Sequence, residues 1–266
     1  MKGPFLLARW TSLLVSFRSR RMQFEPIGIL ESCYPDKFGT PRQPGLSQHA
    51  WARLKLNRTW QPEESLLGIE GFSHLWLIFV FHKNSNERFH AKVRPPRMQG
   101  ESIGVFATRS PHRPNPIGLS LVKLVKRESD SLILSGVDLI DGTPILDLKP
   151  YLPEIESIPS ARGGWTAQVD PRKIEIEWSD DQLVALEAWS SRLQKTFAGS
   201  PELAASELRQ LIEETLALDP RPLVYRGFEG TDEVKYRQAH AVRFFDGDVH
   251  FQFLSPDRIR ILKVLT

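Results

Sequence analysis

Leu119-Ser120-Leu121-Val122-Lys123-Leu124-Val125-Lys126-Arg127-Glu128-Ser129-Asp130-Ser131-Leu132-Ile133-Leu134 is the stretch on which the fold turns. Two runs of Leu, Ile and Val flank the polar tetrapeptide Arg127 to Asp130, and β-favouring residues on both sides of a polar turn specify a hairpin. Outward from it, from Gln23 to about Trp178, further short strands are expected, separated by proline and glycine. They are Phe24 to Leu30, Trp51 to Leu56, His74 to Phe81, Ile103 to Thr108, Pro144 to Leu148 and Lys173 to Trp178, with the hairpin arms at Leu119 to Val125 and Leu132 to Leu139. Many short strands without helices between them predict a sheet closed on itself, because closure removes exposed edges. The pattern disfavours a doubly wound sheet and the glycine-rich strand-to-helix turn that accompanies one.

After Trp178 the period changes. Ser179, with Gln182 three residues on, reads as a capping box, and Leu183, Leu186, Trp189, Leu193 and Phe197 give a helical apolar stripe ended by Gly199. A second helix is expected with Ser200 as its cap, Pro201 at its first position and Ala204, Leu208, Leu211 and Leu216 on its apolar face, stopping at Asp219-Pro220. Two strands, Ala241 to Phe245 and Val249 to Leu254, follow about an Asp246-Gly247 turn. The expected fold is therefore mainly β: a closed, antiparallel-rich β-barrel over residues 22–178 and a smaller C-terminal α+β domain over residues 179–266.

Composition narrows the function classes. The chain of 266 residues is 41% hydrophobic and 25% charged, enough for a substantial core. Its net charge of +3 is misleading, since Lys2, Arg9, Arg18, Arg20 and Arg21 stand in an acid-free leader, and the remainder carries 30 basic against 32 acidic side chains. That body is no general nucleic-acid coat, so RNA contact requires a local patch. Residues 82–126 offer one, with Lys83, Arg88, Lys92, Arg94, Arg97, Arg109, Arg113, Lys123 and Lys126 against only Glu87 and Glu101. The leader, Met1 to Arg21, is too short and broken to span a membrane. We read it as a disordered product of an upstream start codon before a start at Met22, with an arginine-rich targeting peptide as the alternative. The single cysteine, Cys33, allows no internal disulfide, and a cytoplasmic protein is expected.

Three segments are unusual for scaffolding. Pro41-Arg42-Gln43-Pro44-Gly45 holds an arginine and a glutamine between prolines that limit the entropy lost on ordering. Arg94-Pro95-Pro96-Arg97 and Ala107-Thr108-Arg109-Ser110-Pro111-His112-Arg113-Pro114-Asn115-Pro116-Ile117-Gly118 alternate arginine with proline, giving charged forks on stiff backbone suited to carboxylate or phosphate oxygens. A structural ion-pair network is the competing reading of those arginines. Asp138, Asp141 and Asp147 interrupt an apolar strand and turn, where aspartate needs a partner or a task, although Asp141-Gly142 also suits a turn.

These motifs, with Gly71-Phe72-Ser73-His74-Leu75-Trp76 and Asp219-Pro220-Arg221-Pro222, resemble the bacterial TrmO family, formerly called YaeB, from about Met22 to the C-terminal domain. The resemblance implies transfer of a methyl group from S-adenosylmethionine to N6 of N6-threonylcarbamoyladenosine beside the anticodon of threonine tRNA. It also implies a homodimer of barrels whose cofactor pocket matches Pro41, Arg42, Gln43, His82, Lys83, Arg109, Leu119, Asp138, Leu139, Ile140 and Asp141. The sequence departs from the family spacing at Tyr225. A sulfonium cofactor calls for a cation facing its carboxylate, which Arg42 or Arg109 would supply, and apolar walls for adenine, here Leu119, Leu139 and Ile140. The acceptor N–H calls for a base, for which Asp138, Asp141 and His82 are the candidates. Arg94, Arg97 and Arg113, with Asn115 and Arg221, are expected on the RNA. No metal is expected. A non-catalytic RNA-binding barrel is the main rival, and a metal-dependent hydrolase finds no ligand spacing to support it.

Overall fold

In the computed structural model the described residues are 23–84, 89–95, 98, 101–168, 174–197, 200–221 and 239–266. The leader Met1 to Arg21, Arg97 and Tyr225 lie outside them. The strands in chain order are β1 Gly28–Ser32, β2 Trp51–Leu56, β3 His74–Val80, β4 Lys92–Val93, β5 Ile103–Gly104, β6 Ile117–Arg127, β7 Ser131–Ser135, β8 Thr143–Pro150, β9 Glu175–Glu177, β10 His240–Phe244, β11 Gly247–Ser255 and β12 Arg258–Leu265. The helices are α1 Pro62–Ser65, α2 Pro153–Glu156, α3 Asp180–Thr196 and α4 Ala205–Ala217.

Six strands close into a barrel in the order β1-β2-β7-β6-β3-β8, every pair antiparallel. Alternation decides which side chains enter it. On β3, Leu75, Leu77 and Phe79 are buried, and on β6 Gly118, Ser120, Val122 and Leu124 are. Gly118 lies opposite Phe79, whose ring fills the space a side chain would need: a Cβ there would sit 2.1 Å from Phe79 Cζ. The β6–β7 hairpin forms as its sequence predicts.

The second sheet, β10-β11-β12-β9, carries α3 and α4 and shares one apolar core with the barrel. Tyr34 and Thr215 hydroxyls meet at 3.0 Å, and Trp51 of the barrel packs on Phe197 and Phe245 at 4.9 and 5.9 Å between ring centroids. Four local expectations are corrected here. The strand expected over Lys173 to Trp178 runs over Glu175–Glu177 and pairs in parallel with β12, so it belongs to the second sheet and not to the barrel. Gln182 does not close a capping box, because its Oε1 accepts from Val264 N at 3.0 Å and Ser179 makes no side-chain cap. The second helix begins at Ala205, after a separate 3-10 turn over Pro201–Leu203. The last hairpin turns on Phe245-Asp246, one residue earlier than expected, since Phe244 pairs with Gly247. Tertiary contacts impose that register. Phe245 N donates to Cys33 O at 2.9 Å with φ of 50°, Trp189 Nε1 donates to Asp246 Oδ1 at 3.0 Å, and Trp189 lies against Gly247.

Candidate functional site

Strand pairing brings three long connections to one end of the barrel. Ser32 pairs with Ala52, Val80 with Ile117, Trp51 with Ser135 and Leu30 with Thr143. Residues 33–50, 81–116 and 136–142 therefore leave the sheet at the same mouth. Lys123 of β6 pairs with Ser135, so Ile117 to Val122 rise past the end of β7 beside the last of these connections.

Hydrogen bonds tie the loops to one another. Lys83 Nζ donates to Pro35 O at 2.8 Å and Lys37 Nζ to Lys83 O at 2.7 Å, joining the first connection to the second. Arg109 donates through Nη1 to Gln43 Oε1 at 2.7 Å, a second bridge between them. Gly45 N donates to Gly136 O at 2.9 Å, fixing the first connection to the third. The segments around Pro41 to Gly45 and Arg109 are thus tied into one stitched rim at the mouth, with Pro41 buried and Arg42 and Arg109 exposed.

Two aspartates of the third connection differ in their surroundings. Asp138 is partly buried and accepts a 2.6 Å hydrogen bond from Ser120 Oγ. Burial pushes its carboxyl up to about 6, against the lowering effects of the Ser120 hydrogen bond and the Arg109 charge. Asp141 is exposed; its Oδ1 accepts from Ser32 N at 2.9 Å, and its own N donates to Tyr34 O at 2.7 Å, which makes it a clamp on the end of β1. His82, just past β3, is exposed; desolvation and then the Lys83 charge lower its affinity for a proton, while Asp141 raises it. Cys33 is buried beneath the rim, and burial pushes its thiol up to about 12, so it stays protonated. Among the described residues no three His, Cys, Asp or Glu side chains gather as for a metal ion, and no helix is long and apolar enough to cross a membrane.

Residues 29–157 match the family model of the tRNA-methyltransferase O N-terminal domain, and residues 171–266 that of the TrmO C-terminal domain. The chain belongs to the TrmO family. It is 42% identical over 240 residues to RcsF of Pseudomonas aeruginosa, named as a candidate S-adenosylmethionine-dependent methyltransferase, covering 90% of this chain and 96% of that protein. It is 41% identical over 212 residues to the tRNA (adenine(37)-N6)-methyltransferase of Escherichia coli, covering 78% and 85%. A crystal structure of TrmO superposes with a TM-score of 0.74 at 37% identity, covering 93% of this chain and all of the other.

In this TrmO-family chain the structure brings Gln43, His82, Lys83, Arg109, Leu119, Asp138, Ile140 and Asp141 to one mouth, but not in equal roles. Leu119 lies on the outward-facing side of β6 at 54% exposure, and Leu139 is buried at 2%, with its carbonyl accepting from Ser32 Oγ. An adenine sandwich of Leu119, Leu139 and Ile140 is therefore corrected: Leu139 belongs to the core, and only the other two keep surface. Arg94 and Asn115 are exposed in the second connection. Arg113 is turned toward its own loop, donating from Nη1 to Thr108 O at 2.9 Å. Arg221, expected on the RNA, is away from the surface. It is fully buried in the second domain, paired with Asp219 at 2.8 Å and stacked 3.5 Å from the Phe253 ring centroid. Ser120 was not among the expected site residues. Its signal is a hydroxyl at an inward position of an otherwise apolar strand, legible once the strand's alternation is fixed.

Proposed function

We propose that this chain transfers a methyl group from S-adenosylmethionine to N6 of N6-threonylcarbamoyladenosine beside the anticodon of threonine tRNA, with Asp138 as the base. The rim over the Ser120–Asp138 pair is the observation that supports it most. A carboxyl near 6, held by a hydroxyl and facing an exposed arginine, is suited to take a proton at neutral pH.

The residues present fit the cofactor. Arg109, fixed by Gln43, offers a guanidinium to a carboxylate, Leu119 and Ile140 offer apolar surface, and Asp138 with Asp141 offers negative charge toward a sulfonium. When bound, S-adenosylmethionine supplies an electrophilic methyl group and leaves as a neutral thioether while the new N–C bond forms. Asp138 takes the proton from the acceptor nitrogen as that bond forms, and Ser120 holds the carboxylate in the orientation that receives it. The stitched rim contributes positioning, an effect worth up to about 7–11 kcal/mol where reacting atoms are held in line. Asp141 and His82 serve the site's shape and field.

We further infer a homodimer working in the cytoplasm, as the family resemblance implies. The test is mass spectrometry of threonine tRNA nucleosides after incubation with purified protein and isotopically labelled S-adenosylmethionine. Labelled methyl should appear on the threonylcarbamoyl nucleoside and not on unmodified adenosine; binding of tRNA without methylation would instead support the RNA-binding module. Sedimentation velocity and cell fractionation test the dimer and its compartment.

A further inference from the structure

Phe106 stands out among the aromatic residues near the mouth because it is 72% exposed yet rigidly mounted. It occupies the middle of a 3-10 turn, Val105–Ala107, whose first residue is buried at 1% and donates from N to Ala91 O at 2.9 Å. Three carbonyls of the turn and its exit are engaged. Val105 O accepts from Thr108 Oγ1 at 2.7 Å, Ala107 O from Trp165 Nε1 at 2.9 Å and Thr108 O from Arg113 Nη1 at 2.9 Å. The same Arg113 guanidinium lies 5.6 Å from the Phe106 ring centroid. A cation already bound to the loop therefore backs the ring, and the rest of the ring faces water.

A phenyl ring held out on stiff backbone is apolar surface that something can cover at little cost in ordering. The chemistry of its neighbours says what. Ala107 is small, and Lys92, Arg94 and Arg109 are exposed cations, while Glu101 is the sole acid in residues 89–116. A protein surface would need a continuous apolar patch; among the described residues of 89–116 only Phe89 and Phe106 are large apolar side chains exposed to solvent, and they stand amid these cations. An RNA base needs a π face, a flanking guanidinium and nearby cations for its phosphates, and all three are present.

We propose that Phe106, backed by Arg113, is a stacking platform for an unpaired base of the RNA substrate, next to the nucleotide presented to the mouth. Arg109, three residues along, bridges to Gln43 and so ties the Phe106 loop to the rim. The proposal rests on the methyl-transfer reading for the identity of the RNA, and it makes Phe106 a binding residue for a flanking nucleotide.

The test uses the full chain and a synthetic anticodon stem-loop carrying the threonylcarbamoyl nucleoside. Phe106→Ala and Phe106→Leu should each weaken RNA binding about tenfold, because leucine keeps apolar bulk but has no π face, and Phe106→Trp should bind like the parent. S-adenosylmethionine affinity should be unchanged in all three, which shows that the fold and the cofactor site are intact. Parent-like RNA binding by Phe106→Ala would overturn the platform while leaving the methyl-transfer reading in place. So would parent-like binding by Phe106→Leu together with loss of self-association in Phe106→Ala, since the ring would then be covered by a second copy. Failure of the unaltered chain to bind the stem-loop at all would overturn both.

Discussion

Ser120 Oγ donates to Asp138 Oδ1 at 2.6 Å across the barrel mouth, from an inward position of β6 to the connection between β7 and β8. The bond favours the ionised carboxylate, whereas burial disfavours it and prevails, so that Asp138 titrates at about 6. If Asp138 is the base, kcat/KM for methyl transfer should fall as pH drops through about 6. Ser120→Ala removes the stabilising donor and should move that limb to higher pH. Asp138→Asn should lower the rate by roughly 100-fold or more above pH about 6 and abolish the acid limb, the difference from the parent narrowing in acid. A pH–rate profile with labelled methyl donor reads all three, and an unchanged limb in Ser120→Ala would separate the hydroxyl from the proton transfer.

The same carboxyl has a cost in stability whose sign is fixed. Its folded value, about 6, exceeds the unfolded value of 3.8, so the fold favours the protonated form. That contribution is fully present below the unfolded value and is lost as pH rises through about 6. Asp138→Asn, which keeps an acceptor for Ser120, should therefore be more stable than the parent at pH near 8, by about 1–2 kcal/mol, and should lose that advantage in acid. Thermal unfolding at the two pH values decides it; a less stable variant at the higher pH would mean that Asp138 is ionised without penalty.

The barrel was legible because its strands alternate. β2 matches the expected bounds, and β3 and β6 differ only at their ends. What sequence missed was set by contacts distant in the chain. Gln182 reaches a strand backbone more than 80 residues away, and Phe245 is drawn into a left-handed turn by Cys33 O and by Trp51. The site divides in the same way. Motif matching finds which residues reach the mouth, but not that Leu139 points into the core or that Asp141 is bound to a backbone amide, since both depend on how the third connection folds over β1. The motif that holds Arg221 likewise does not reveal that the side chain is buried and paired with Asp219 in the second domain.

Arg109 is exposed and fixed to Gln43 at 2.7 Å, which presets its guanidinium at the rim. Arg109→Ala should weaken S-adenosylmethionine binding by about 10- to 100-fold, as expected for losing a charge-assisted contact to a carboxylate. Arg109→Lys should recover part of the loss, lacking the fork, and Gln43→Ala should cost less than either because it frees the arginine without removing it. Isothermal titration calorimetry gives the three values; parent-like affinity in Arg109→Ala would place the cofactor carboxylate elsewhere.

Gly118 has no room for a side chain, since a Cβ would come within 2.1 Å of Phe79 Cζ. The ring is buried in the barrel and cannot swing outward without opening the core. Gly118→Ala should destabilise the protein by about 1–3 kcal/mol, the usual cost of overpacking. It should also weaken methyl transfer, because Gly118 stands two residues before Ser120 on the same strand. Gly118→Ala paired with Phe79→Leu, which vacates the space, should restore much of the lost stability in denaturant unfolding, and a double variant no better than the single would place the strain elsewhere.

Arg221 separates structural arginines from RNA-facing ones. Its guanidinium is fully buried, holds Asp219 through Nε at 2.8 Å and Nη2 at 3.0 Å, and stacks on Phe253. Asp219 itself sits at φ of 50°, in a turn that the pair helps to hold. Arg221→Ala leaves a partly buried carboxylate without this partner and removes the stacked plane, so a loss of about 3–5 kcal/mol is expected. Arg221→Lys keeps the charge but not the fork, and should recover only part of it. RNA affinity, measured well below the melting temperature of each variant, should equal that of the parent. A tRNA-specific loss of binding in Arg221→Ala, with stability unchanged, would return this arginine to the substrate surface.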